Sequence, residues 1–120
     1  MAIHTLGKKR RSGQKVDLVT FGVSRLVYVN KFGMQAHFKN IEDVLLEFDD
    51  KTRTFWIKPL AAPTDKSFRL SFSSQQRKAT GVIACRFAVS NLEKFLKIDL
   101  KGKAYHATWN SKEKKLEVHF

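Results

Sequence analysis

Phe48-Asp49-Asp50-Lys51-Thr52-Arg53-Thr54-Phe55-Trp56-Ile57-Lys58 aligns without a gap on Trp109-Asn110-Ser111-Lys112-Glu113-Lys114-Lys115-Leu116-Glu117-Val118-His119. Each segment begins on an aromatic residue, passes through Asp or Asn and a lysine-bearing polar turn, and resumes as apolar, any residue, apolar. That is the signature of a β-hairpin. It recurs from 48 to 109, an offset of 61 in a chain of 120 residues. A small chain carrying one element in each half predicts two like units packed on a single core. The alternative is a chance likeness between two polar turns.

Working outward, the β-formers Val19, Thr20, Phe21, Val23, Val27, Tyr28 and Val29, broken by Gly22, predict one or two strands between Val16 and Val29. Asn30-Lys31-Phe32-Gly33 reads as a turn and Met34 to Phe38 as a short strand. Asn40, with Asp43 three residues on, reads as the cap of a single helical turn. Val44, Leu46 and Phe48 share one face of the first hairpin, Phe55 and Ile57 a face of its return. Pro59 to Asp65 is a connector. In the second half Phe68, Leu70 and Phe72 alternate inward, as do Ile83, Cys85, Phe87 and Val89, on either side of a polar loop from Ser74 to Gly81. Ser90-Asn91-Leu92-Glu93 is a capping box, and Leu92, Phe95 and Leu96 share a helical face, which predicts a short helix over Ser90–Lys97. The expected fold class is α+β, mostly antiparallel β. It has about eight strands, one clear short helix and two pseudo-repeated units of strand, short helix and hairpin, in halves 16–62 and 63–120.

Composition bounds the rest. With 42% hydrophobic residues, the chain is long enough to bury one core unaided. No apolar run spans a membrane, and Met1-Ala2-Ile3-His4-Thr5-Leu6 lacks a signal-peptide core, so a cytoplasmic location is expected. The single cysteine, Cys85, sits among apolar residues as a buried structural thiol. The formal charge is +12 and the pI about 10.1. Residues 1–15 carry five cations and no acid, residues 16–65 six cations against seven acids, and residues 66–120 twelve against four. Such asymmetry favours a polyanion partner, most simply nucleic acid, over a merely soluble basic surface.

Catalysis has little support. His4, His37, His106 and His119 are scattered without metal-ligand spacing, and Asp49 and Asp50 sit where a turn calls for Asp. There is no glycine-rich phosphate loop and no nucleophile elbow. Neither enzyme chemistry, a metal nor a cofactor is expected. The candidate nucleic-acid contacts are Lys8, Lys9, Arg10, Arg11 and Lys15 on an N-terminal arm (1–15) read as flexible, then Arg53, Trp56, Lys58, Arg69, Arg77, Lys78, Arg86, Lys112 and Lys114. Cations of this kind position a phosphate backbone without reading sequence. Trp56 points away from Phe55 and Ile57, among cations, as a base-stacking ring does; a place in another layer or a dimer seam is the competing reading. Phe21, Tyr28 and Tyr105 are further stacking candidates that packing also claims.

The run Arg86-Phe87-Ala88-Val89-Ser90-Asn91-Leu92-Glu93-Lys94-Phe95-Leu96-Lys97-Ile98, followed by Ala104 to Phe120, resembles the swapped-hairpin unit of AbrB-like transition-state regulators. So does Asp43-Val44-Leu45-Leu46-Glu47-Phe48 followed by Thr54-Phe55-Trp56-Ile57-Lys58-Pro59. The family's proline before the helix and glycine-acid turn after it are absent. The resemblance implies interleaved hairpins and DNA binding through basic loops. The expected function is non-enzymatic nucleic-acid binding, DNA first, with single and double strands both open and a homodimer allowed. The alternative is a small basic module from a phage or mobile element that docks on a host protein.

Overall fold

The computed structural model describes residues 16–72 and 80–120. Strands β1 (Asp17–Phe21) and β2 (Leu26–Val29) lead into helix α1 (Lys31–His37), then β3 (Asp43–Asp49) and β4 (Thr54–Leu60). The order repeats as β5 (Phe68–Phe72), β6 (Gly81–Ala84), helix α2 (Arg86–Leu96), β7 (Lys103–Asn110) and β8 (Lys115–His119). The strands close into one barrel in the order β1-β2-β6-β5-β3-β4-β8-β7, with β7 returning to β1, and every pairing is antiparallel. Every described strand has a neighbour on each side, though β3 and β5 pair over two residues only.

The period of two along each strand decides what fills the barrel. Val19 and Phe21, Val27 and Val29, Val44, Phe55 and Ile57, Leu70, Ile83, Leu116 and Val118 are all buried, and Tyr105, Ala107 and Trp109 pack against them. Each large apolar side chain withdrawn from water contributes about 1.5–3 kcal/mol. Phe21 lies at the centre of an aromatic group, with ring centroids 5.9 Å from Phe55 and Tyr105 and 6.0 Å from Phe120. Because β2 and β6 are antiparallel neighbours, the helices that follow them leave from opposite ends of the barrel. Met34 and Phe38 are buried at the α1 end; Val89, Leu92 and Leu96 are buried along α2.

Several local expectations are overturned. Asn30-Lys31-Phe32-Gly33 is the start of α1, not a turn. The Asn30 side-chain oxygen accepts from the backbone N–H of Gly33 at 3.1 Å and of Leu18 at 3.0 Å, capping the helix and fastening it to β1. Gly33 is packed so closely that a Cβ there would lie 3.0 Å from Val29 Cγ1. Met34 to Phe38 is therefore helical up to a cap at Phe38, not a strand. Asn40 begins no helix; its left-handed backbone (φ 62°) lies between α1 and β3.

In the second half, β6 stops at Ala84 and α2 begins at Arg86, four residues before the predicted start at Ser90. Ser90 lies inside the helix, so the Ser90–Glu93 capping box is not used; Glu93 instead accepts from Arg25 Nε at 3.2 Å and from the backbone N–H of Leu100 at 2.8 Å. Cys85 and Val89 fit both a strand period and a helix period. Phe87 separates the two, since it is 83% exposed rather than inward. Phe72 is likewise on the surface, while Leu70 is buried. Among the described residues there are thus two helices, each preceded by two strands rather than one.

The two long hairpins turn alike. Asp49 Oδ1 accepts from the backbone N–H of Lys51 (2.9 Å) and of Thr52 (3.4 Å), and Asn110 Oδ1 from that of Glu113 (2.9 Å), the counterpart of Thr52. Arg53 (φ 55°) and Lys114 (φ 56°) then close the two loops in the left-handed region. Among the described residues no helix is long and apolar enough to cross a membrane.

Candidate nucleic-acid interface

Lys8, Lys9, Arg10, Arg11, Lys15, Arg77 and Lys78 lie outside the described residues. The other candidates are all off the core. Arg53 and Lys58 are half-buried at the first hairpin; Arg69, Arg86, Lys112 and Lys114 are exposed. They do not form one cluster. In the β4–β8 pairing Thr54 meets His119 and Ile57 approaches Leu116, so the Arg53 turn and the Lys112–Lys114 turn sit at opposite ends of that ladder. Arg69 faces Glu42 at 3.6 Å with both side chains more than 70% exposed, a pair of negligible strength.

Trp56 does point outward from β4, between Glu47 on β3 and Glu117 on β8. Its surroundings are already occupied. The indole N–H donates to Glu117 Oε2 at 3.0 Å, and Lys115 Nζ lies 4.2 Å from the ring centroid while donating to Glu47 Oε1 at 3.1 Å. Asn110 Nδ2 also donates to Glu117 Oε2 at 2.8 Å. The Trp56 N–H first, then the Asn110 amide, hold the Glu117 carboxyl below the usual glutamate range. This cluster fixes Trp56 in place and covers one face of its ring. Phe21 is fully buried and is not a stacking candidate; Tyr28 and Tyr105 are half-buried.

The acids of the basic half are largely engaged. Glu93 binds Arg25 and the Leu100 backbone, Glu117 binds Trp56 and Asn110, and Asp99 accepts from the backbone N–H of Lys101 at 3.0 Å. Arg86, Lys94, Lys97, Lys101, Lys112 and Lys114 remain exposed, and none of them joins the ion pairs found among the described residues.

Two groups escaped the sequence reading. His37 Nε2 lies 2.9 Å from Asp17 Oδ2, and its ring stacks on Trp109 at 4.2 Å between centroids, joining α1 to β1 and β7. Nothing local in the sequence signals that contact, which spans 20 residues to Asp17. Phe87 and Phe95 form an exposed stripe with Asn91 along α2. Here a signal existed: extending the helix back to Arg86 puts 87, 91 and 95 on one face and Val89, Leu92 and Leu96 on another. Cys85 is 2% exposed, and burial pushes its thiol up to about 12, so it is an inert packing group at neutral pH. Comparison of the chain with protein-family models, curated proteins and solved structures found no match.

Proposed function

We propose that this protein is a non-enzymatic nucleic-acid-binding barrel that holds a phosphate backbone through cations on its turns and on α2. The carrying observation is the imbalance just described: the acids of the basic half are mostly tied into internal hydrogen bonds, while most of its described cations are exposed and outside ion pairs. Left-handed backbone adds support. Among the described residues, four of the five non-glycine residues in that region are cations, Arg25, Arg53, Lys97 and Lys114, and all but Arg25, which binds Glu93, are outside the ion pairs. Glycine would relieve about 1–2 kcal/mol of strain at such a position. A cation kept there fits a role for its charge.

We propose further that the barrel is built from two β-β-α-β-β units related by a pseudo-twofold axis. Exchanging β1 with β5, β2 with β6, β3 with β7 and β4 with β8 leaves the ring order unchanged. The β4–β8 register supports this: Trp56 pairs with Glu117, its own counterpart at the offset of 61, and Phe55↔Val118 maps onto Ile57↔Leu116. Hairpins from the two halves also alternate around the ring, as an AbrB-like interleaved arrangement requires.

The test is charge removal with a lysate control. Replacing Arg86, Lys94, Lys112 and Lys114 by Gln removes cations from the surface without touching the core, so folding is retained and oligonucleotide affinity falls at least about tenfold at low salt. Capture from cell lysate distinguishes the alternative. Partners lost on nuclease treatment support nucleic-acid binding, whereas a partner protein retained after nuclease supports the docking module.

A further inference from the structure

Three cation–phenylalanine pairs, Lys31-Phe32, Arg86-Phe87 and Lys94-Phe95, lie in helices with both members exposed. Phe87 is 83% and Phe95 61% exposed. Two of the pairs are on α2, eight residues or about 12 Å apart along its axis. Burial does not account for these rings. Val89, Leu92 and Leu96 already anchor the helix, and Phe95 touches the protein through Phe48, with centroids 5.8 Å apart, while its other side is open. The surroundings are basic: Lys97 and Lys101 follow the helix, and the acids nearby are held, Glu93 by Arg25 and Leu100, Asp99 by Lys101, and Glu47, which lines a groove with Phe95, by Lys115.

We propose that the exposed side of α2 is a single-strand site, in which Phe87 and Phe95 stack on unpaired bases while Lys94, beside them, and Arg86, Lys97 and Lys101 on the adjoining flank of the helix hold the phosphates. The proposal rests on the nucleic-acid reading above and names its substrate class. A phosphate backbone alone calls for cations. Exposed phenyl rings beside them call for accessible base faces, which a single strand offers and a stacked duplex does not. The role sought for Trp56 thus falls to the two helix phenylalanines, because Trp56 is engaged by Lys115 and Glu117.

The experiment measures fluorescence anisotropy of a labelled oligothymidylate and of a duplex of equal length, with the full chain, at matched salt. The intact protein prefers the single strand. Phe87→Ala weakens single-strand binding at least about fivefold, and adding Phe95→Ala at least about fivefold more. Duplex binding stays within about twofold, and the salt slope is unchanged because no cation is removed. Phe87→Trp retains affinity, and its fluorescence is quenched by the oligonucleotide. Phe87→Ala alone decides the matter if loss of the Phe48 contact makes the double variant unstable. Unchanged single-strand affinity in Phe87→Ala, or an equal preference for duplex in the intact protein, overturns the inference while leaving nucleic-acid binding in place. An intact protein that binds neither probe overturns the parent reading itself. A dimer in sedimentation that dissociates in Phe87→Ala without any change in oligonucleotide binding overturns the inference and assigns the face to a second copy.

Discussion

Asn30 does the work of three connections with one side chain. Its oxygen caps α1 at Gly33 and receives the N–H of Leu18, and its Nδ2 donates to the Val16 carbonyl at 2.8 Å. Asn30→Ala leaves part-buried backbone groups without partners, so a loss of about 1–3 kcal/mol is expected in denaturant unfolding. Glu117 gives a pH-dependent counterpart. Its folded-state pKa is depressed, chiefly by the Trp56 N–H. The stabilisation is therefore fully present above the unfolded value of about 4.3 and is lost as pH falls through that value and the lower folded one. Glu117→Gln should destabilise the protein near neutral pH, and the gap from the unaltered protein should narrow below about pH 4. Trp56→Phe should return the carboxyl toward its ordinary value, which titration followed by NMR reads directly.

At the scale of elements, the turns carry a measurable conflict between stability and charge. Lys114 has left-handed backbone at the closing position of the β7–β8 turn. Lys114→Gly should raise stability by up to about 1 kcal/mol, since glycine meets no Cβ penalty there, and should lower oligonucleotide affinity. Paired melting and binding measurements check both signs; a stabilised variant with unchanged affinity would remove the charge explanation for that residue. The two long hairpins were legible because Asx turns and alternating strands are local signals, visible in Asp49–Ile57 and Asn110–Val118. Helix α2 was legible from Ser90 onward, but its start at Arg86 and the whole of α1 were not, for identifiable reasons. Gly33 looks like a turn residue but serves close packing against Val29. The alternation of Ile83, Cys85, Phe87 and Val89 passes for a strand because two of its four positions also fit a helix. The Ser90 capping box is a correct motif in the wrong place: its Glu93 is drawn away by Arg25, 68 residues distant in sequence.

For the whole molecule, the order of strands around the ring belongs to tertiary packing, and no local pattern announces which hairpin lies beside which. On the proposed two-unit reading, the offset of 61 makes Trp56 and Glu117 counterparts, and those two residues pair across β4 and β8. Net charge works at the same scale. A formal +12 spread over 120 residues opposes compaction, and a polyanion that neutralises it relieves that repulsion as it binds. Counterion release makes this testable in one titration. Affinity for a labelled oligonucleotide, measured with the full chain across monovalent salt, should fall linearly on logarithmic axes with a slope of about −3 or steeper, corresponding to about four or more phosphate contacts on a single strand. Affinity that is independent of salt, or no binding even at the lowest salt, would contradict the account.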